Sequence, residues 1–183
     1  MSTQTPERTE GRALSAPDVE LNLRPNRLFA AVAILAMVVG GFSILGGIGG
    51  AIYTYQSAAV ENIVTPDDAR IAEAPVRGPL TMWAQSDIIT QHQLDRTEGL
   101  RYAEMDREVQ MVDEAGTPMV DEAGDPVMGP NQDRLSWIDA TSLTTVLGMG
   151  IMAYALSAFA MAVGATLLLL GVVVWRLRSA VLL

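Results

Sequence analysis

One histidine, His92, is where acid-base or metal chemistry would begin in this chain. It lies in Ser86-Asp-Ile-Ile-Thr-Gln-His92-Gln-Leu-Asp95, where Asp95 three residues on, or Asp87 on the same helix, would be the partner of a metal site or a general acid-base pair. A single imidazole with scattered carboxylates makes a weak zinc site, so a surface or partly buried structural histidine is the expectation. A second group, Asp113, Glu114, Asp121, Glu122 and Asp125, gathers hard oxygen donors near two glycines. Calcium would want six to eight such oxygens, but the spacing matches no EF-hand loop; a solvated acidic loop is expected, with docking to a basic partner as the alternative. No phosphate-cradling glycine loop, no G-x-S-x-G elbow and no cysteine is present. We therefore assign no catalytic, cofactor-binding or metal residue, expect no cofactor and no enzymatic activity, and see no small-molecule substrate. A net charge of −9 argues against nucleic acid.

The elements that would carry these groups are dominated by two apolar blocks. Leu28–Ile52 gives 25 residues without a charged side chain and Ala140–Trp175 gives 36, whereas a bilayer core of roughly 30 Å takes about 20 helical residues. The expected fold class is membrane all-α: a two-helix transmembrane hairpin with an extracytoplasmic loop domain of short helices and a small β-hairpin. Its segments are a disordered cytoplasmic leader over 1–26, a first span over 27–55, an acidic outer domain over 56–139, a second span with an outer extension over 140–175, and a cytoplasmic tail over 176–183. The first apolar run exceeds the roughly 7–15 residues of a signal peptide's core, so a retained anchor is expected.

Charge orients the hairpin. The segment Met1–Arg27 sums to zero, the loop from Tyr53 to Asp139 to −11 and the tail to +2. Arg24 and Arg27 precede the first span and Arg176 and Arg178 follow the second, which places both termini in the cytoplasm and the loop outside; the absence of lysine in a chain rich in Ala and Gly reads as the codon bias of a GC-rich bacterial genome, so the membrane expected is the bacterial cytoplasmic membrane. Phe29, Trp175, Tyr53 and Tyr55 fall at the span ends, where amphipathic rings favour headgroups.

Read in heptads, the first span lines up Ala33, Ala36, Gly40, Ser43, Gly47, Gly50 and Thr54; the second lines up Gly150, Ala153, Ser157, Ala160, Gly164 and Gly171. Small side chains let helix backbones approach, and a 3.5-residue period implies a shallow left-handed crossing. The two seams are expected to face each other, with docking of another membrane subunit as the second use of the same residues. The 36-residue block would be about 54 Å long as a helix, so Ala140–Gly148 should protrude into the outer domain, capped by Trp137.

In the loop, Val60–Asp68 reads as a helix leaving the first span, stopped near Pro66. Thr81–Gln93 reads as a short amphipathic helix after Gly78-Pro79. Leu80, Trp83, Ala84 and Ile88 lie on one side of it; Leu80, Trp83 and Ile88, with His92, form the candidate interaction surface. Further on, Met111-Val-Asp-Glu-Ala-Gly-Thr-Pro118 is followed by Met119-Val-Asp-Glu-Ala-Gly-Asp-Pro126. This octad repeat is written like a small β-meander or hairpin, and a disordered insertion is the alternative.

The runs Pro75-Val-Arg-Gly-Pro-Leu-Thr-Met-Trp-Ala-Gln-Ser-Asp-Ile-Ile-Thr-Gln-His92 and Glu98-Gly-Leu-Arg-Tyr-Ala-Glu-Met-Asp-Arg107 resemble a family of actinobacterial two-span membrane proteins commonly labelled "aromatic ring-opening dioxygenase LigA". The resemblance covers roughly 28–174 and implies the same two-span architecture. The chemistry of that label needs iron held by two histidines and a carboxylate, and this chain has one histidine, so no catalytic residue is carried over. Some small actinobacterial membrane proteins resemble accessory subunits of the respiratory supercomplex, which supplies one partner hypothesis. The function expected is that of a non-enzymatic interaction or accessory subunit of the cell envelope, partnered by the lipid bilayer and a membrane or envelope protein. A metal-dependent enzyme or metal sensor centred on His92 is the competing class.

Overall fold

Each apolar block becomes a single long helix. In the computed structural model, which describes residues 27–180, the order is α1 (Arg27–Val60), α2 (Pro79–Arg96), a 3-10 turn (Tyr102–Glu104), strands β1 (Glu108–Gln110) and β2 (Met128–Pro130), and α3 (Gln132–Ala180). The expected leader and the last residues of the tail lie outside the described residues. At 34 and 49 residues, α1 and α3 extend about 51 and 74 Å. Both are long and apolar enough to cross a membrane. Their outward faces carry uncovered Phe42, Leu45, Leu156, Phe159 and Leu169.

The seams meet. Ala33, Gly40 and Gly47 of α1 are buried, with Ala36, Ser43 and Gly50 half-covered; Ser157, Gly164 and Gly171 of α3 are buried, with Ala153 and Ala160 half-covered. The helices run antiparallel at backbone contact. A Cβ on Gly40 would lie 2.7 Å from the Gly164 carbonyl oxygen, and one on Gly164 2.6 Å from the Gly40 carbonyl oxygen. Gly47 meets Ser157 and Met161, and Gly171 meets Ala33 and Met37. Such approach is open only to glycine and brings Cα–H groups against facing carbonyls. Gly150 departs from the expectation: it faces the Met82 side chain, with Sδ 2.7 Å from where a Cβ would stand, because at that height α2 occupies the groove of α3.

α3 starts at Gln132, eight residues before the apolar block. Asn131 sets the start, its Oδ1 accepting the Arg134 N–H at 3.2 Å as an N-cap. Trp137 therefore caps nothing; it is buried inside the helix, donating from Nε1 to the Leu100 carbonyl at 3.0 Å.

The expected helix over Val60–Asp68 is replaced by an extended loop. Asn62 takes the left-handed conformation at φ 51° and ends α1, and the β-branched Ile63-Val64-Thr65 then pairs antiparallel with Ala74–Val76. Thr65 is 2% exposed and ties both arms, its hydroxyl donating to the Ile71 carbonyl and accepting the Ala74 N–H at 2.9 Å.

The octad repeat is ordered. Asp113 Oδ1 accepts the N–H groups of Ala115 and Thr117, and Asp121 Oδ1 those of Ala123 and Asp125, so each unit closes in the same turn. Gly116 and Gly124, at φ 79° and 91°, supply the left-handed position each turn requires. Equivalent positions then close a ring: Met119 N–H donates to the Met111 carbonyl, Val127 to Met119, and Met111 back to Val127, all at 2.8–3.0 Å. β1 and β2 pair antiparallel beneath it, Val109 opposite Gly129.

Candidate functional site

α2 is the organising element of the head. Pro79 at its first position has no N–H to leave unpaired, and the Thr81 hydroxyl accepts the N–H groups of Arg77 and Gly78 at 3.2 Å each. The helix stops at Arg96, where Glu98 and Gly99 turn left-handed and the Gly99 N–H reaches back to the Leu94 carbonyl at 2.8 Å.

Its buried face is Met82, Ala84, Ile88 and Gln93. Met82 sits on Gly150, and Gln93 Nε2 donates to Ser136 Oγ at 2.5 Å and to the Asp133 carbonyl at 3.3 Å, so α2 runs antiparallel to the N-terminal part of α3. Ile88, at 4% exposure, is therefore core and unavailable to a partner. Leu80 and Trp83 are uncovered, at 70% and 47%. The four candidate residues thus separate: the helix turns Ile88 inward while Leu80, Trp83 and His92 stay outside.

His92 is paired from outside its own helix. Nε2 lies 2.6 Å from Asp68 Oδ2, both side chains about half exposed, and this hydrogen bond holds the Asp68 carboxyl below the usual range. Asp87, the partner expected from sequence, instead accepts from Arg70 Nε at 2.7 Å and from Gln91 Nε2 at 2.8 Å, and the imidazole bonds Asp68 rather than Asp95. Among the described residues no group of three ligating side chains converges there or at the acidic turns. In those turns Asp113 and Asp121 are spent on backbone N–H groups; Asp113 is held low first by the Thr117 N–H and then by that of Ala115.

Sequence reasoning missed Asp68, Arg70 and Arg77. Arg70 stacks 5.5 Å over Trp83 while paired to Asp87. Arg77 accepts the Tyr154 hydroxyl at its carbonyl, at 2.5 Å, locking the base of the head onto α3. The signal for Asp68 and Arg70 is the succession of acid and base across Asp67-Asp-Ala-Arg70, which complements Asp87 and His92, five residues apart on α2; Arg77 gave none.

Fold and site together define a mostly helical protein with two helices long enough and apolar enough to cross a membrane, and a small head built on one of them. No protein-family model matches the chain, nor does any curated protein or solved structure.

Proposed function

We propose that the chain is an integral membrane protein whose outer head docks another membrane or envelope protein, without catalysing a reaction. Both termini lie in the cytoplasm in this reading, and the acidic head stands outside. The observation that carries it is the tip of the head. The octad hairpins leave Val112, Met119, Val120 and Met128 uncovered, at 42–58% exposure, between the acidic corners Asp113-Glu114 and Asp121-Glu122. An apolar row held in a rigid ring and rimmed by charge has the composition of an interface, and its complement is an apolar strip flanked by Arg or Lys. His92 serves this arrangement by pinning α2 to the loop at Asp68.

Mild-detergent extraction followed by blue-native electrophoresis tests the reading. The wild-type chain is expected in a larger complex and Val120→Asp, a change at an exposed position, is expected to release it. Migration of the wild type solely as a free monomer or self-dimer, with no co-purifying protein, refutes the proposal.

A further inference from the structure

Where the head meets the spans there is an open cavity of about 460 Å³, lined by Tyr55, Pro75, Leu80 and Thr81 with Arg77 among them. Helix register gives its height. Gly50 lies against Ser157, Gly150 against Met82, and the Tyr154 hydroxyl bonds the Arg77 carbonyl, so the cavity stands beside residues 150–154 of α3. Counting back about 20 helical residues from Arg176, the depth of a hydrocarbon core, arrives just inside that level. On α1 the uninterrupted apolar run gives way at the same height to Tyr53-Thr-Tyr55-Gln56.

The walls are amphipathic. Leu80 is 70% exposed and is followed on the same side by the half-uncovered Trp83, so apolar side chains lie open at this depth. The charged member is Arg77. Its guanidinium rests 6.0 Å from the Tyr55 ring, and among the described residues the ion pairs are Arg70–Asp87 and His92–Asp68, leaving Arg77 without a carboxylate. In a loop of net charge −11, a cation free of carboxylate and set beside apolar walls at the end of the hydrocarbon core matches one chemistry.

We propose that this cavity holds the phosphodiester headgroup of an outer-leaflet phospholipid. Arg77 supplies the charge, and Tyr55 and Leu80 lie against the glycerol and the first acyl carbons. The inference rests on the membrane reading above. Native mass spectrometry of the full chain in detergent, with added phosphatidylglycerol, tests it. The wild type should retain one lipid. Arg77→Gln should retain about fivefold less, as expected for one cation at a lipid phosphate. Leu80→Ser, at an exposed position, should retain about threefold less. Arg101→Gln, whose guanidinium stacks on Trp137 far up the head, should match the wild type. Equal retention by the wild type and Arg77→Gln, an equal loss in Arg101→Gln, or displacement of the lipid by inorganic phosphate overturns the proposal. Alkaline carbonate extraction separates the two failures. Release of the chain into the soluble fraction sinks the membrane reading and this inference with it; retention in the pellet without Arg77-dependent lipid sinks this inference alone.

Discussion

Replacing Gly164 with alanine should weaken the crossing of α1 and α3, and the structure sets the size of the effect. The new methyl carbon would stand 2.6 Å from the Gly40 carbonyl oxygen, 2.8 Å from Ile44 Cγ1 and 2.9 Å from the Ile44 nitrogen. Comfortable carbon-oxygen contact begins near about 3.3 Å, so the backbones must part locally by roughly 0.7 Å. Two of the three obstacles are backbone atoms of α1, which cannot rotate away. Overpacking of this kind costs about 1–3 kcal/mol, while alanine returns roughly 0.5–1 kcal/mol of helix propensity. Gly46→Ala isolates the packing part. It receives the same propensity gain on the same pair of helices, and nothing lies within 4 Å of its Cβ. The difference between the two variants is thus expected at about 1–3 kcal/mol. Equilibrium unfolding by dodecyl sulfate in mixed micelles, followed by far-UV circular dichroism, measures it. A difference below about 0.5 kcal/mol, the ordinary error of additivity, or one of opposite sign, would refute the antiparallel glycine contact.

Three further outcomes are expected. Because the chain has no cysteine, Gly50→Cys with Ser157→Cys gives a clean pair whose Cβ atoms would stand near the 3.9 Å that separates an ideal Gly50 Cβ from Ser157 Cβ; mild oxidation should close it intramolecularly, read as a mobility shift reversed by reductant, and an intermolecular dimer alone would contradict the register. Gly124→Ala, at φ 91°, should cost the second octad turn about 1–2 kcal/mol and raise hydrogen exchange at Asp125 and Val127, whereas unchanged exchange would mean the turn does not need its left-handed residue. The Asp113 carboxyl is depressed by the N–H groups it accepts, so its contribution is complete above the ordinary aspartate value of about 3.9 and is lost as pH falls through the lower folded value; Ala115 and Thr117 amide shifts should hold through pH about 4 and move only below it, and a midpoint at or above the ordinary value would count against the turn.

What could be read from residue order was whatever a local period controls. Ala33, Gly40 and Gly47, and Ser157, Gly164 and Gly171, repeat every seven positions because two helices touching along a seam must place their smallest side chains there, and no distant residue alters that demand. Local turn chemistry was equally plain in Asp-Glu-Ala-Gly, where the aspartate and the glycine each have one job. The misread positions depend on partners far along the chain. Gln132–Asp139 looks like loop because its helical turns are held by Gln93, about forty residues earlier, and Ile88 left the candidate surface because it falls on the buried face of α2 with Met82 and Gln93, which meet α3. Asp68 took His92 from Asp87 and Asp95 across 24 positions, a choice that spacing on α2 cannot reveal. Gly150 fits the heptad of α3 yet serves Met82 rather than α1, since the seam of α3 is shared by two successive helices.

That sharing has a mechanical consequence. The seam of α3 that packs on α1 over Ser157–Gly171 continues without a break into the surface that packs on α2, from Gly150 up to Asp133. No loop intervenes, so the head has no hinge on that side. The returning connection, Glu61–Gly78, is the other route by which the head could swing, and it is tied at both ends: Thr65 binds its arms together, and the Arg77 carbonyl is held by Tyr154 of α3 itself. An unbroken helix of about 74 Å bends gently at most unless proline or a bulge interrupts it, and Gln132–Ala180 contains no proline. The tip that carries Val112, Val120 and the acidic turns is therefore held at a set height and heading relative to the paired lengths of α1 and α3. On the docking proposed above, the partner's own site would have to stand at that same height above the bilayer, with little orientational freedom left to lose on association.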